Sequence, residues 1–108
     1  MSMITIEQFF QSELKVATIT AAEPIPNSTK LLKISVDLGT ETRVLVAGIA
    51  KEYPPEELLG KQIVVVSNLQ PAKLMGVESQ GMVLAASVDG KPVLLHPGGE
   101  VPNGTAVK

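Results

Sequence analysis

Leu32, Ile34, Val36 and Leu38 alternate with Lys33, Ser35 and Asp37. Successive side chains of an extended chain point to opposite faces, so this pattern describes a strand with one apolar face and one polar face. Such a strand is stable only within a sheet that covers the apolar side. Gly39-Thr40 turns the chain directly into Thr42–Ala47, which predicts a hairpin. Other extended segments are cut to similar length. From Leu14 to Glu23, the residues Val16, Thr18, Ile19 and Thr20 favour extended backbone until Pro24 and Pro26 end the strand. Gln62–Val66 is a continuous apolar run, and Met82–Val88 is another, ending at the turn Asp89-Gly90 before Val93–His96.

Helical signals are short. Thr5, Ile6, Glu7 and Gln8 have the form of an N-cap with its capping-box partner, predicting a helix over about Ile6 to Gln11 docked by Phe9 and Phe10. Pro55, the acids Glu56 and Glu57, and Gly60 place a second helix at about 55–59. Five or six short strands with one inserted helix fit a small Greek-key barrel, the OB-fold, better than a sandwich of seven strands. The expected class is therefore all-β: a five-stranded OB-fold barrel with short helices and N- and C-terminal additions, forming one domain over residues 1–108. With 44% hydrophobic residues but only three aromatics (Phe9, Phe10 and Tyr53), Val and Ile must fill its core.

The same residues leave little room for catalysis. There is no Cys, and the one His, His96, stands beside the turn Pro97-Gly98-Gly99. Ser28, Ser79 and Ser87 lie in no nucleophile motif, no Gly-rich phosphate loop occurs, and the carboxylates do not cluster as metal ligands. A non-enzyme without metal or cofactor is expected. The N-terminus lacks the order of a signal peptide, and no apolar run approaches the roughly 20 residues that span a bilayer, so a soluble, cytoplasmic protein is expected.

A net charge of −2 argues against coating nucleic acid through bulk positive charge. Its distribution is more telling. Glu7, Glu13, Glu23, Glu52, Glu56 and Glu57 lie outside Asn27–Lys33 and Asn68–Met82, where Lys30, Lys33 and Lys73 meet only Glu78. Within Asn68–Met82, Pro71, Gly76 and Gly81 punctuate a connection in which Asn68, Lys73, Ser79 and Gln80 offer donors without forming a catalytic set, the composition of a recognition loop.

Four blocks in this order, Glu13–Ile19, Lys30–Gly39, Val46–Ala50 and Asn68–Met82, resemble the tRNA-binding domain family. That family has an OB-fold. It occurs as stand-alone dimeric tRNA-binding proteins, as the C-terminal or separate β component of methionyl-tRNA synthetases, and in the endothelial-monocyte-activating polypeptides. The resemblance implies an RNA-binding surface at Asn27, Ser28, Lys30, Arg43, Lys73, Met75, Ser79, Gln80 and Met82. Where relatives often carry His-Pro and a Lys before the loop proline, this chain has Ile25-Pro26 and Gln70, which removes positive charge. Binders of single strands add aromatic platforms, but the predicted strands contain none, so the shape of folded RNA is the expected target. Met82, at a strand start, is expected in the core rather than on RNA.

The function so implied is non-catalytic binding of tRNA, assisting an aminoacyl-tRNA synthetase. The alternatives are a peptide-binding export chaperone of the same fold or the β subunit of a methionyl-tRNA synthetase. Glu78-Ser79-Gln80-Gly81-Met82 resembles the tRNA binders. The flanking apolar residues Phe9, Phe10, Leu94, Leu95 and Val101 need a surface to bury against, which predicts a homodimer through them. The competing expectation is that the two rings close the end of their own barrel.

Overall fold

The computed structural model describes residues 2–108. Along the chain lie α1 (Ile6–Phe9), β1 (Leu14–Pro24), β2 (Leu32–Asp37), β3 (Thr42–Ala47), α2 (Pro55–Leu58), β4 (Gln62–Val66), β5 (Ala72–Leu74), β6 (Val77–Ser79), β7 (Met82–Val83), β8 (Ala85–Val88) and β9 (Lys91–Leu94). Five of them form one antiparallel sheet in the order β3-β2-β1-β4-β7. That is the OB-type barrel, with β3 and β7 at the two margins that approach each other.

β1 is long enough to serve two sides of the barrel. Its first half pairs with β4, from Leu14↔Val66 to Thr18↔Gln62, and its second half pairs with β2, from Thr18↔Asp37 to Pro24↔Leu32. The register shifts between Ile19 and Ala21. An irregularity of this kind bends a strand and increases its twist, which is what rolling the sheet requires. Inside, Ala17, Ile19, Leu32, Ile34, Val36, Leu45, Ile63 and Val65 are buried together, and Leu58 of α2 closes one end. The alternation of β2 thus falls as expected, with Leu32, Ile34, Val36 and then Leu38 on the core side.

The continuous apolar run of β4 has a separate cause. Ile63 and Val65 face the barrel core, while Val64 and Val66, with Val16 of β1, are buried on the opposite face. The C-terminal stretch runs back along β1: Val16 N–H donates to the Thr105 carbonyl (2.9 Å), Gly104 N–H to the Val16 carbonyl (2.7 Å) and Val107 N–H to the Leu14 carbonyl (2.8 Å). Leu95, Val101 and Val107 border the groove over Val16 and Val64. A strand buried on both faces reads as unbroken apolar sequence. Gln62 ties this layer down, donating from Nε2 to the Val101 carbonyl (2.7 Å) and accepting at Oε1 from Val101 N–H (3.1 Å).

Several expectations shift. α1 ends at Phe9 because Gln11 and Ser12 N–H turn to carbonyls three residues back, tightening the last turn. Phe9 and Phe10 touch each other at 5.5 Å between centroids and stay 38% and 50% exposed, so they do not close their own barrel. Met82–Val88 is not one strand: β7 belongs to the barrel through β4, whereas β8 leaves it to form a hairpin with β9. β9 is therefore Lys91–Leu94 rather than Val93–His96, because Asp89-Gly90, both at positive φ, returns the chain at once.

At the C-terminal turn, Gly104 has φ +89, and a Cβ there would collide with the Leu38 carbonyl oxygen. Gly104→Ala should lower stability by about 1–3 kcal/mol in denaturant unfolding, the usual range for forced backbone strain. Wild-type stability would show that this stretch is not seated against the barrel as described.

Candidate nucleic-acid interface

The connection from β4 to β7 is built, not loose. β5 and β6 form a hairpin, with Lys73 opposite Glu78, closed by Met75 (φ 51) and Gly76 (φ 81). Positive φ at both turn residues is the type I′ geometry, usually signalled by Asn-Gly or Asp-Gly. Methionine in the first position hid that signal. The expected recognition loop is thus a hairpin that raises Met75, 55% exposed, to its tip, with Lys73 exposed beside it.

Polar residues after the hairpin anchor it to β3. Gln80 N–H donates to the Val44 carbonyl (2.8 Å), Val44 N–H donates to Gln80 Oε1 (3.0 Å), and Val46 N–H donates to Ser79 Oγ (2.9 Å). Ser79 is buried, and its hydroxyl donates to the Gly81 carbonyl (2.9 Å). Moving back from Gln80 to Ser79 means moving forward along β3 from Val44 to Val46. The hairpin therefore leaves the barrel on the side that leads to Ala50, whose N–H donates to the Lys30 carbonyl (2.9 Å).

Lys30 lies in the β1–β2 loop. There Ser28 Oγ accepts from Leu31 N–H (3.0 Å) and Lys30 N–H (3.3 Å), while Asn27 takes φ 68, a left-handed conformation that asparagine tolerates. Ser28 shapes the turn, and Asn27 and Lys30 are exposed. Among the described residues neither Lys30 nor Lys73 pairs with a carboxylate, whereas Lys33 lies 3.6 Å from Glu23. Lys51, Lys61, Lys91 and Lys108 are likewise unpaired, but Lys30 and Lys73 alone stand on the β1–β2 loop and the β4–β7 connection of the barrel, the loops that OB-folds use for ligands.

Other predicted residues prove to be occupied. Arg43 donates from Nε and Nη2 to Glu41 (2.7 and 3.3 Å) and from Nη1 to the carbonyls of Ser67 and Gln80. Its hydrogen bonds and charge hold the Glu41 carboxyl below its ordinary value of 4.5. Asn68 is spent on the N-terminal segment, donating to the Gln11 carbonyl (2.6 Å) and accepting from Glu13 N–H (2.8 Å). His96 Nδ1 sits 2.6 Å from the Gln62 carbonyl. Two expectations need correction. Met82 is not in the core: it is 47% exposed, at the rim of a 220 Å³ pocket beside Val46, Gly48 and Leu94, because along β7 it is Val83 that packs against the core and alternation turns Met82 outward. Leu94, expected on a dimer surface, is instead 5% exposed within the core of its own chain. Leu95 stays exposed and Val101 is half-buried within the C-terminal layer. Among the described residues no group of three His, Cys, Asp or Glu is placed to hold a metal.

An OB-type barrel with a lysine on its projecting hairpin and another on the β1–β2 loop, and no stacking aromatics on its sheet, defines a class of small nucleic-acid-binding modules. Residues 14–106 match the family described as "Putative tRNA binding domain", and the chain belongs to it. It is 56% identical over 104 residues to the methionine–tRNA ligase of Thermotoga maritima, and 52% over 104 to that of Archaeoglobus fulgidus. Each match covers 96% of this chain, which spans only 16% of the length of those enzymes. Among solved structures, a MetRS-related protein from Pyrococcus horikoshii aligns over the whole of both chains with a TM-score of 0.95 and 44% identity. The chaperone CsaA from Bacillus anthracis aligns over 99% of this chain and all of its own, with a TM-score of 0.90 and 36% identity. No helix of the described residues is long and apolar enough to cross a membrane.

With Met82 half exposed, Met82→Ala should change unfolding free energy by less than about 1 kcal/mol, as surface substitutions do. A loss of several kcal/mol on denaturant titration would return the residue to the core. Glu41 favours folding only while ionised. Its contribution is complete above pH 4.5 and disappears as pH falls through the lowered folded-state value, with small amplitude because the carboxylate is in water.

Proposed function

We propose that this chain is a non-catalytic module that holds folded tRNA against the end of the barrel formed by the β5–β6 hairpin and the β1–β2 loop. The observation that carries this reading is the pair of exposed lysines without carboxylate partners, Lys30 and Lys73, on those two elements. Cations on a rigid frame suit the phosphates and 2′-hydroxyls on the outside of a structured RNA. Met75 and Met82 supply adaptable apolar contacts for an exposed base or sugar. Asn27, with Ser28 behind it, completes the contact set on the loop side.

The identity to methionine–tRNA ligases supports a role beside such an enzyme, with the module adding tRNA affinity to a catalytic unit. The module pairs with a second copy through Phe9, Phe10, Leu95 and Val101; the exposed apolar residues of α1 and of the segment before it, Ile6 and Ile4, favour this pairing. A cytoplasmic site of action follows from that role. The chaperone alternative draws on the CsaA likeness, but the higher identity lies with the ligases.

Folded tRNA should bind well and an unstructured RNA of equal length much more weakly, with a log-affinity against log-salt slope on the order of −2 to −4. Equal affinities, or a slope near −8, would place the surface or the mode of recognition elsewhere. Lys30→Glu and Lys73→Glu should each weaken binding with little loss of stability, as charge reversal at exposed sites adds repulsion to a lost contact. Wild-type affinity in the double variant would exclude this end of the barrel.

A further inference from the structure

Arg43 was expected among the RNA contacts, yet its side chain is only 22% exposed. Every guanidinium nitrogen has a protein partner: Nε and Nη2 lie on Glu41, and Nη1 on the carbonyls of Ser67 and Gln80. Ser67 is where the chain leaves β4, and Gln80 is two residues before it re-enters the barrel as β7. Those two carbonyls are the feet of the connection that carries the β5–β6 hairpin. Arg43, on β3 across the seam, fastens both feet to the same strand. A planar fork with all its nitrogens engaged has little capacity left for a phosphate.

We propose that Arg43 is a positioning residue for tRNA recognition: through the Ser67 and Gln80 carbonyls it fixes the direction of the hairpin bearing Lys73 and Met75, without touching RNA. This rests on the reading that the hairpin engages folded tRNA. Glu41 holds the fork in the orientation that lets Nη1 reach both carbonyls. The Gln80 and Ser79 bonds to Val44 and Val46 then fix the register of the same connection along β3. A lysine would keep the charge but could not span a carboxylate and two carbonyls at once.

The test combines tRNA titrations at several salt concentrations with amide hydrogen exchange on the free protein. Arg43→Gln should weaken binding of a folded tRNA transcript roughly tenfold, the order expected when a charged hydrogen-bond partner is lost. It should leave the salt slope unchanged, and speed exchange of the Val44 and Val46 amides while those of Ile34 and Val36 stay protected. Arg43→Lys should weaken binding comparably and decides the matter if Arg43→Gln does not fold. A slope shallower by about one, the mark of a lost phosphate contact, would overturn the proposal. So would wild-type affinity in Arg43→Lys. The two failures are separable: wild-type protein that does not bind folded tRNA sinks the reading of the hairpin, whereas Val44 and Val46 exchange unmoved by Arg43→Gln sinks the clamp itself.

Discussion

The structure turns on the seam between β3 and the chain entering β7. A rolled sheet of five strands leaves two margins, and an unpaired margin exposes a row of backbone donors and acceptors. β7 has only two residues, too few to pair with all of β3. The deficit is met by Ser79 and Gln80, whose hydroxyl and amide oxygens accept from Val46 and Val44 N–H where a strand's carbonyls would otherwise lie. Two side chains thereby act as ladder rungs. They free the chain just before them to project as a hairpin, and they fix where that hairpin stands.

Opposite the seam, β1 carries the complementary task. It pairs with β4 along one half and β2 along the other, and its outer edge near Val16 takes up the C-terminal stretch. The barrel therefore has one wall insulated by a second apolar layer and one end left polar and open. The proposed recognition elements, the β5–β6 hairpin and the β1–β2 loop, sit at that end. Rigidity behind them comes from the insulated wall, since hydrogen-bonded, doubly buried strands are the last to open.

Most of this architecture was legible because strand patterns depend on local alternation and on turn residues. β2, β3 and β4 were placed at or within a residue of their bounds by alternation, Gly39 and the run of valines. The β5–β6 hairpin was missed because its turn uses Met75 in a conformation normally announced by Asn or Asp. The break after Val83 was missed because an apolar run does not say which partner each residue will face. The site was less legible for one physical reason: Arg43, Ser79, Gln80 and Asn68 carry polar groups that can donate or accept in any setting, and a sequence does not reveal whether the protein itself engages them. In the structure it does. The candidates left without a partner in the protein are exposed: Asn27 and Lys30 on the β1–β2 loop, Lys73 and Met75 on the β5–β6 hairpin, and Met82 at the start of β7.

The proposed surface joins the hairpin that carries Lys73 and Met75 to the loop that carries Lys30, on a frame without aromatic platforms, and on that proposal it reads the outside of a folded RNA. Backbone amide chemical-shift mapping of the labelled protein with a folded tRNA tests this most directly. The account predicts that the largest perturbations fall on Lys73–Val77 and on Asn27–Leu31, with the groove beneath Leu95, Val101 and Val107 unmoved. Perturbations centred on that groove, with the hairpin silent, would contradict it.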